Sequence, residues 1–150
     1  MSVLDMAGHL IRRLHQQSTQ VFAQRTQAAG FDLTPVQYAA LEAIYEYPGS
    51  DQKFVAEQIG YDRATIGGVI ERLEKKGWIR RVVSDQDRRA RELSLTAKGN
   101  SIRAQLQPIV QALQKDILRP LKESDQELLI QLTRQVISHI EADKASPSGD

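Results

Sequence analysis

The hydrophobic period of this chain changes at Gly77. Upstream, Phe54, Val55 and Ile59 and then Ile66, Val69, Ile70 and Leu73 recur every three or four positions. That spacing puts them on one face of a helix. Downstream, Trp78-Ile79-Arg80-Arg81-Val82-Val83 reads as a strand, Ser84 to Ala90 is polar and rich in Asp and Arg, and Arg91-Glu92-Leu93-Ser94-Leu95 alternates strictly. Strand, charged loop and strand make a hairpin. Asp51 and Asp62 suit the caps of the two helical segments, and Gly60 separates them. Two short helices joined by a glycine-containing turn form a helix-turn-helix, and the hairpin behind it forms a wing.

Longer helical patterns flank this lobe. The first covers about Leu4 to Ala28, with Ala7, Leu10, Ile11, Leu14, Val21 and Phe22 on one face and Gly30 as its stop. A second opens at Thr34-Pro35-Val36-Gln37, where Thr34 and Gln37 can close a capping box, and Pro48-Gly49 ends it. Thr96 should cap a long helix from Ala97 to Leu118, interrupted at Pro108 and closed by Pro120. Ser124 and Glu127 offer another capping box for a last helix to about Ala142, followed by a polar, fraying tail over 145–150. The fold class is α+β: mainly α with a small β-hairpin.

Net charge is only +1, but it is unevenly spread. Tyr61 to Arg91 holds nine Lys/Arg against five Asp/Glu, a local excess of +4, which leaves about −3 for the rest. Concentrated positive charge suits a phosphate-binding surface, although a solvated charged face would look the same. With no cysteine there can be no disulfide, thiol catalysis or cysteine-based metal site, and no cofactor is expected. No apolar run is long enough to span a bilayer and no signal peptide is evident, so a cytoplasmic location without membrane contact is expected. Three histidines, no phosphate loop and no nucleophile motif argue against an enzyme.

The second short helix begins Asp62-Arg63-Ala64-Thr65-Ile66-Gly67-Gly68. A helix that enters the major groove needs small or hydrogen-bonding residues in its first turns. Arg63 can address guanine by a bidentate contact, and Thr65 can meet a base or a phosphate. Ala64, Gly67 and Gly68 would allow close approach of backbone and groove. The two glycines could equally reflect tight packing within the protein. Arg72, Lys75 and Lys76 suit phosphates. In the loop, Arg88 or Arg89 could enter a minor groove with Asp85 as its brace, and Arg91 follows at the strand.

With these residues placed, the chain resembles the MarR family of multiple-antibiotic-resistance regulators. The matching string runs through Leu33-Thr-Pro-Val-Gln-Tyr38, Val55-Ala-Glu-Gln-Ile-Gly60, Leu73-Glu-Lys-Lys-Gly77, Asp85-Gln-Asp-Arg-Arg89 and Leu93-Ser-Leu-Thr-Ala-Lys-Gly99. The resemblance implies a homodimer. Its parts would be a dimerisation helix over 1–33, a winged helix-turn-helix DNA-binding lobe over 34–99 and dimerisation helices over 100–144. It also implies a pseudo-palindromic double-stranded operator and repression relieved by a small phenolic or carboxylate ligand. Many members carry a larger polar residue at Gly67-Gly68, which shifts more of the base reading onto Arg63. The segment Gly8-His-Leu-Ile-Arg-Arg13, with Asp62-Arg-Ala-Thr-Ile-Gly-Gly68 and Lys76-Gly-Trp78, is similar to the branch that governs breakdown of aromatic acids such as hydroxybenzoates and hydroxynicotinates.

A carboxylate effector needs a cation or fixed donors in a partly dry cleft. The first helix offers Arg12 or Arg13 as the anchor, His9 and Gln16 for a ring substituent, and Tyr38 could supply a wall. These side chains could instead form intersubunit ion pairs or face solvent. A winged-helix module that binds DNA or protein without an effector is the alternative.

Overall fold

A computed structural model of the chain describes residues 1–86 and 91–145. It falls into two compact units, Met1–Leu113 and Gln114–Asp150. The elements are α1 (Ala7–Ala28), α2 (Pro35–Glu46), α3 (Gln52–Ile59), α4 (Arg63–Lys75), β1 (Ile79–Val83), β2 (Arg91–Leu95), α5 (Ala97–Ile117) and α6 (Glu123–Ala145). This is the expected α+β fold with a two-stranded antiparallel hairpin.

The caps act as the residue types dictate. Gln37 N donates to Thr34 Oγ1 and Thr34 N to Gln37 Oε1, both at 3.2 Å, which closes the box at the start of α2. Asp51 accepts from Phe54 N and Asp62 from Thr65 N, each at 2.8 Å. Gly60 and Gly77 take the left-handed conformation, with φ of 74° and 75°, that ends α3 and α4. At Gly77 the turn is closed by Gly77 N to Glu74 O and Trp78 N to Leu73 O, which redirects the chain into β1.

Within the first unit, Leu41, Ile44, Val55, Ile66, Ile70, Leu73, Ile79, Leu93 and Leu106 are fully buried. They come from α2 through α5, so one core ties the helix pair to the hairpin and to α5. β1 and β2 pair from Ile79↔Leu95 to Val83↔Arg91. The loop before α3 joins them: Gly49 N donates to Leu93 O at 2.9 Å and Leu93 N to Ser50 O at 2.8 Å. The start of α5 is fixed to the same corner. Thr96 Oγ1 donates to Gly77 O at 2.6 Å and accepts from Gly99 N at 3.0 Å. A β-carbon on Gly99 would stand 1.9 Å from the Trp78 carbonyl oxygen, so only glycine fits.

In the second unit, Gln126 Nε2 donates to the carbonyls of Leu118 and Leu121, both at 3.0 Å, and holds the corner before α6. No residue of α6 is buried.

Several expected boundaries move. Leu4 lies in a separate 3-10 turn (Val3–Asp5), and Met6 occupies the position before α1. Trp78 precedes β1 because its N–H is already committed to Leu73 O. Pro108 does not interrupt α5, since Leu106, Val110 and Leu113 bury the helix on both sides of it. Ser124 is not a cap, because α6 already begins at Glu123. The last helix runs on to Ala145, which was expected in the tail, and residues 146–150 lie outside the described residues.

Candidate nucleic-acid interface

α4 buries Ile66, Val69, Ile70 and Leu73. At about 100° per residue the opposite face carries Ala64, Gly68, Glu71 and Lys75. Arg63 and Gly67 stand on one flank, Thr65 and Arg72 on the other. Arg63, Ala64, Thr65, Arg72 and Lys75 are exposed, and Gly67 and Gly68 are half-buried. The first two turns therefore present a low surface bordered by Arg63 and Thr65. A flat helix face of this kind can approach the floor of a major groove, and a cation beside it can reach base edges.

The two glycines differ. A β-carbon on Gly68 would meet nothing within 4 Å, whereas one on Gly67 would stand 3.2 Å from Gln52 Nε2 of α3. Packing within the protein thus accounts for part of Gly67 and none of Gly68. Asp62 holds Thr65 doubly: besides the cap, Thr65 Oγ1 donates to Asp62 Oδ2 at 2.8 Å. The Thr65 hydroxyl keeps acceptor capacity and its methyl for a partner. These bonds from Thr65, the backbone one foremost, hold the Asp62 carboxyl below its ordinary range.

Of the expected phosphate contacts, Lys75 pairs with Glu71 at 3.5 Å on the surface. Lys76 has a different task. Its ammonium donates to Asp32 O, lies 3.4 Å from Gln37 Oε1 and sits 4.6 Å over the Trp78 ring. It laces the loop before α2 to the end of α4 and is not displayed to a phosphate. Arg91 and Asp85 are exposed at the hairpin. Arg88 and Arg89 lie outside the described residues.

The first-helix candidates stand together only in part. Arg12 Nη2 lies 3.4 Å from His9 Nδ1. Arg12, Arg13 and Gln16 are exposed and His9 is half-buried. Tyr38 is elsewhere: its ring packs 6.4 Å from Phe22, which is about 14 Å along α1 from Arg13 at helical rise. Its phenol is pushed well above the ordinary tyrosine range, first by burial and then by the adjacent Glu42 carboxylate, with Arg103 acting in the opposite direction.

Glu42 and Arg103 were not singled out by the sequence. Arg103 donates to Glu42 Oε2 from Nε at 3.2 Å and from Nη2 at 3.0 Å, and its guanidinium lies 3.5 Å over the Tyr45 ring. This joins α5 to α2. No local signal marks a pair 61 residues apart.

A sequence model of the MarR family matches residues 33–90. Transcriptional regulator HosA of Escherichia coli O157:H7 is 35% identical over 92% of this chain and 99% of its own. The chain belongs to the MarR family. Among solved structures, the PcaV transcriptional regulator of Streptomyces coelicolor, in complex with its natural ligand, superposes with a TM-score of 0.83 at 32% identity, covering 92% of this chain and 96% of that one. The transcriptional repressor CouR, bound to a 23-mer DNA duplex, gives a TM-score of 0.80 at 25% identity over 89% and 93%. This MarR-type chain is accordingly a transcription regulator, not an enzyme. Among its described residues no helix is long and apolar enough to cross a membrane.

Proposed function

We propose that this regulator is a homodimeric repressor that seats two winged lobes on a pseudo-palindromic operator and is released by a small aromatic carboxylate. The observation that carries the DNA reading is the low, exposed first half of α4, Arg63 to Gly68, bordered by a cation and backed by α3. Residues 34–99 form the reading lobe. Residues 1–33 and 100–144 supply the dimer contacts, in keeping with the exposed Leu10, Ile11 and Leu14 of α1 and Val136, Ile137 and Ile140 of α6. CouR on its duplex supports the DNA partner.

The effector part rests on the His9–Arg12 pair with Arg13 and Gln16 beside it, and on PcaV having a natural ligand. A carboxylate would bind Arg13 or Arg12, and His9 or Gln16 would bond a ring hydroxyl or nitrogen. Tyr38 would wall a cleft only if the partner subunit closes the distance to it. Release requires the ligand to favour a lobe spacing that no longer fits the two half-sites.

The test is a gel shift on the duplex upstream of the protein's own gene, titrated with hydroxybenzoates and hydroxynicotinates. A retarded band that these acids dissolve is expected. Arg13→Ala should keep the band and blunt its release. Arg89→Ala should weaken the band, and Arg63→Ala should relax base preference. No band at low salt would overturn the DNA reading; a band indifferent to every acid would leave a regulator without this effector class.

A further inference from the structure

The half-buried Gln52 is the first residue of α3, directly after the Asp51 cap. Its side-chain amide does not turn back into its own helix. It extends across to α4 and lies over Gly67, at 3.2 Å from where a β-carbon would be. A side chain of any size at position 67 would contest that space. The amide has no hydrogen-bond partner among the described residues, so both its donor and its acceptor edges are unspent.

Gly67 lies on the flank of α4 that also carries Arg63 one turn earlier. The low face formed by Ala64, Gly67 and Gly68 therefore has two polar side chains beside it on the α3 flank, Arg63 from α4 itself and Gln52 from the neighbouring helix. The two differ in what they can recognise. A guanidinium only donates and fits the two acceptors of guanine. A carboxamide donates and accepts at once, and fits the N6 amino group and N7 of adenine.

We infer that Gln52 is a base-reading residue that acts through the gap left by Gly67, and that it specifies an A·T pair in each half-site next to the pair read by Arg63. The inference rests on the DNA-reading function proposed for α4. A specificity that a longer side chain at position 67 would provide is delivered from α3 instead, which gives the missing side chain a use.

The test is selection of bound duplexes from a randomised pool by the full-length protein, followed by sequencing, for the unaltered chain and for Gln52→Met and Gln52→Glu. Met keeps the cover over Gly67 and removes the amide. Glu keeps the length, accepts only, and suits the cytosine N4 amino group. The unaltered chain should enrich one A·T pair per half-site. Gln52→Met should lose that preference by roughly fivefold or more while keeping the remainder of the motif. Gln52→Glu should move the same position towards C·G. Gly67→Ala, which crowds the amide, should relax the same position without lowering the melting temperature.

Identical motifs from all three position-52 chains would overturn the inference and leave Gln52 as cover for Gly67. A uniform loss of affinity across sequences would also overturn it and make Gln52 a phosphate contact. If the unaltered chain enriches no motif, the DNA-reading proposal fails first, and the unaltered chain alone reports that.

Discussion

The reading lobe and the two helices α1 and α6 treat their apolar side chains in opposite ways. In the lobe, Ile66, Ile70, Leu73, Ile79 and Leu93 are sealed from water and the corners are closed by hydrogen bonds. In α1 nothing is buried before Val21, and Leu10, Ile11 and Leu14 face out. In α6, Leu128, Ile130, Leu132, Val136, Ile137 and Ile140 are all about half exposed. The lobe closes a core within one chain, while Tyr45, Tyr61, Val82 and Val83 stay exposed at its surface. The helices carry apolar surface that one chain does not cover, the mark of an association surface.

That contrast can be broken first at Gly99. Gly99→Ala drives a methyl group into the Trp78 carbonyl, and a stability loss of the order of 3 kcal/mol in denaturant titration at fixed protein concentration is expected. A change near zero would mean that the corner between β2 and α5 yields easily. The complementary change is Ile137→Asp. It should leave the helix content of a single chain intact but shift sedimentation towards half the mass, at about 2 kcal/mol of lost association per chain. Unaltered sedimentation would show that this face of α6 is merely solvated.

Arg103 tests the join between α2 and α5. Arg103→Ala removes both bonds to Glu42 and the stacking on Tyr45, and leaves the Glu42 carboxylate beside the Tyr38 phenol without its cation. The pair is partly open to water, with side-chain exposures of 12% and 31%, so a loss of about 1–2 kcal/mol is expected by thermal melting. Arg103→Lys should recover only part of it, lacking the planar fork.

The smallest effect belongs to Asp62. Its carboxyl titrates below the ordinary 3.8 in the folded chain, so the folded state stays ionised where the unfolded chain takes up a proton. The stabilisation is present above that ordinary value and fades as pH falls through the lowered one. Asp62→Ala should lower the melting temperature near neutrality, and the gap to the unaltered chain should narrow below about pH 4. A gap constant with pH would mean that the charged form of the cap contributes nothing.

Order, type and approximate extent of the elements were legible because each rests on local chemistry: a repeat of apolar positions, an Asp or Thr at the start, a glycine at the stop. What escaped was decided between segments. Pro108 cannot donate to Ala104 O, which argues for a break, but burial of Leu106, Val110 and Leu113 outweighs one lost bond. Ser124 and Glu127 have capping-box spacing, yet Asp125 N and Gln126 N already donate to Lys122 O, so α6 starts at Glu123. Lys76 looks like its neighbour Lys75 in sequence; only the fold brings Asp32, Gln37 and Trp78 to it. At the site, Arg63 and Thr65 could be chosen from their place in a first turn, whereas Gln52 could not. Its importance depends on the emptiness of position 67 in another helix.

The two backbone bonds that tie Leu93 to Gly49 and Ser50 have a mechanical consequence. They rivet the base of the hairpin to the segment from which α3 springs, so helix pair and hairpin cannot tilt independently. On the proposed function, a ligand that displaced one lobe would then carry helix pair and hairpin together. On that reading, release from DNA would be concerted, the hairpin base and the helix leaving together.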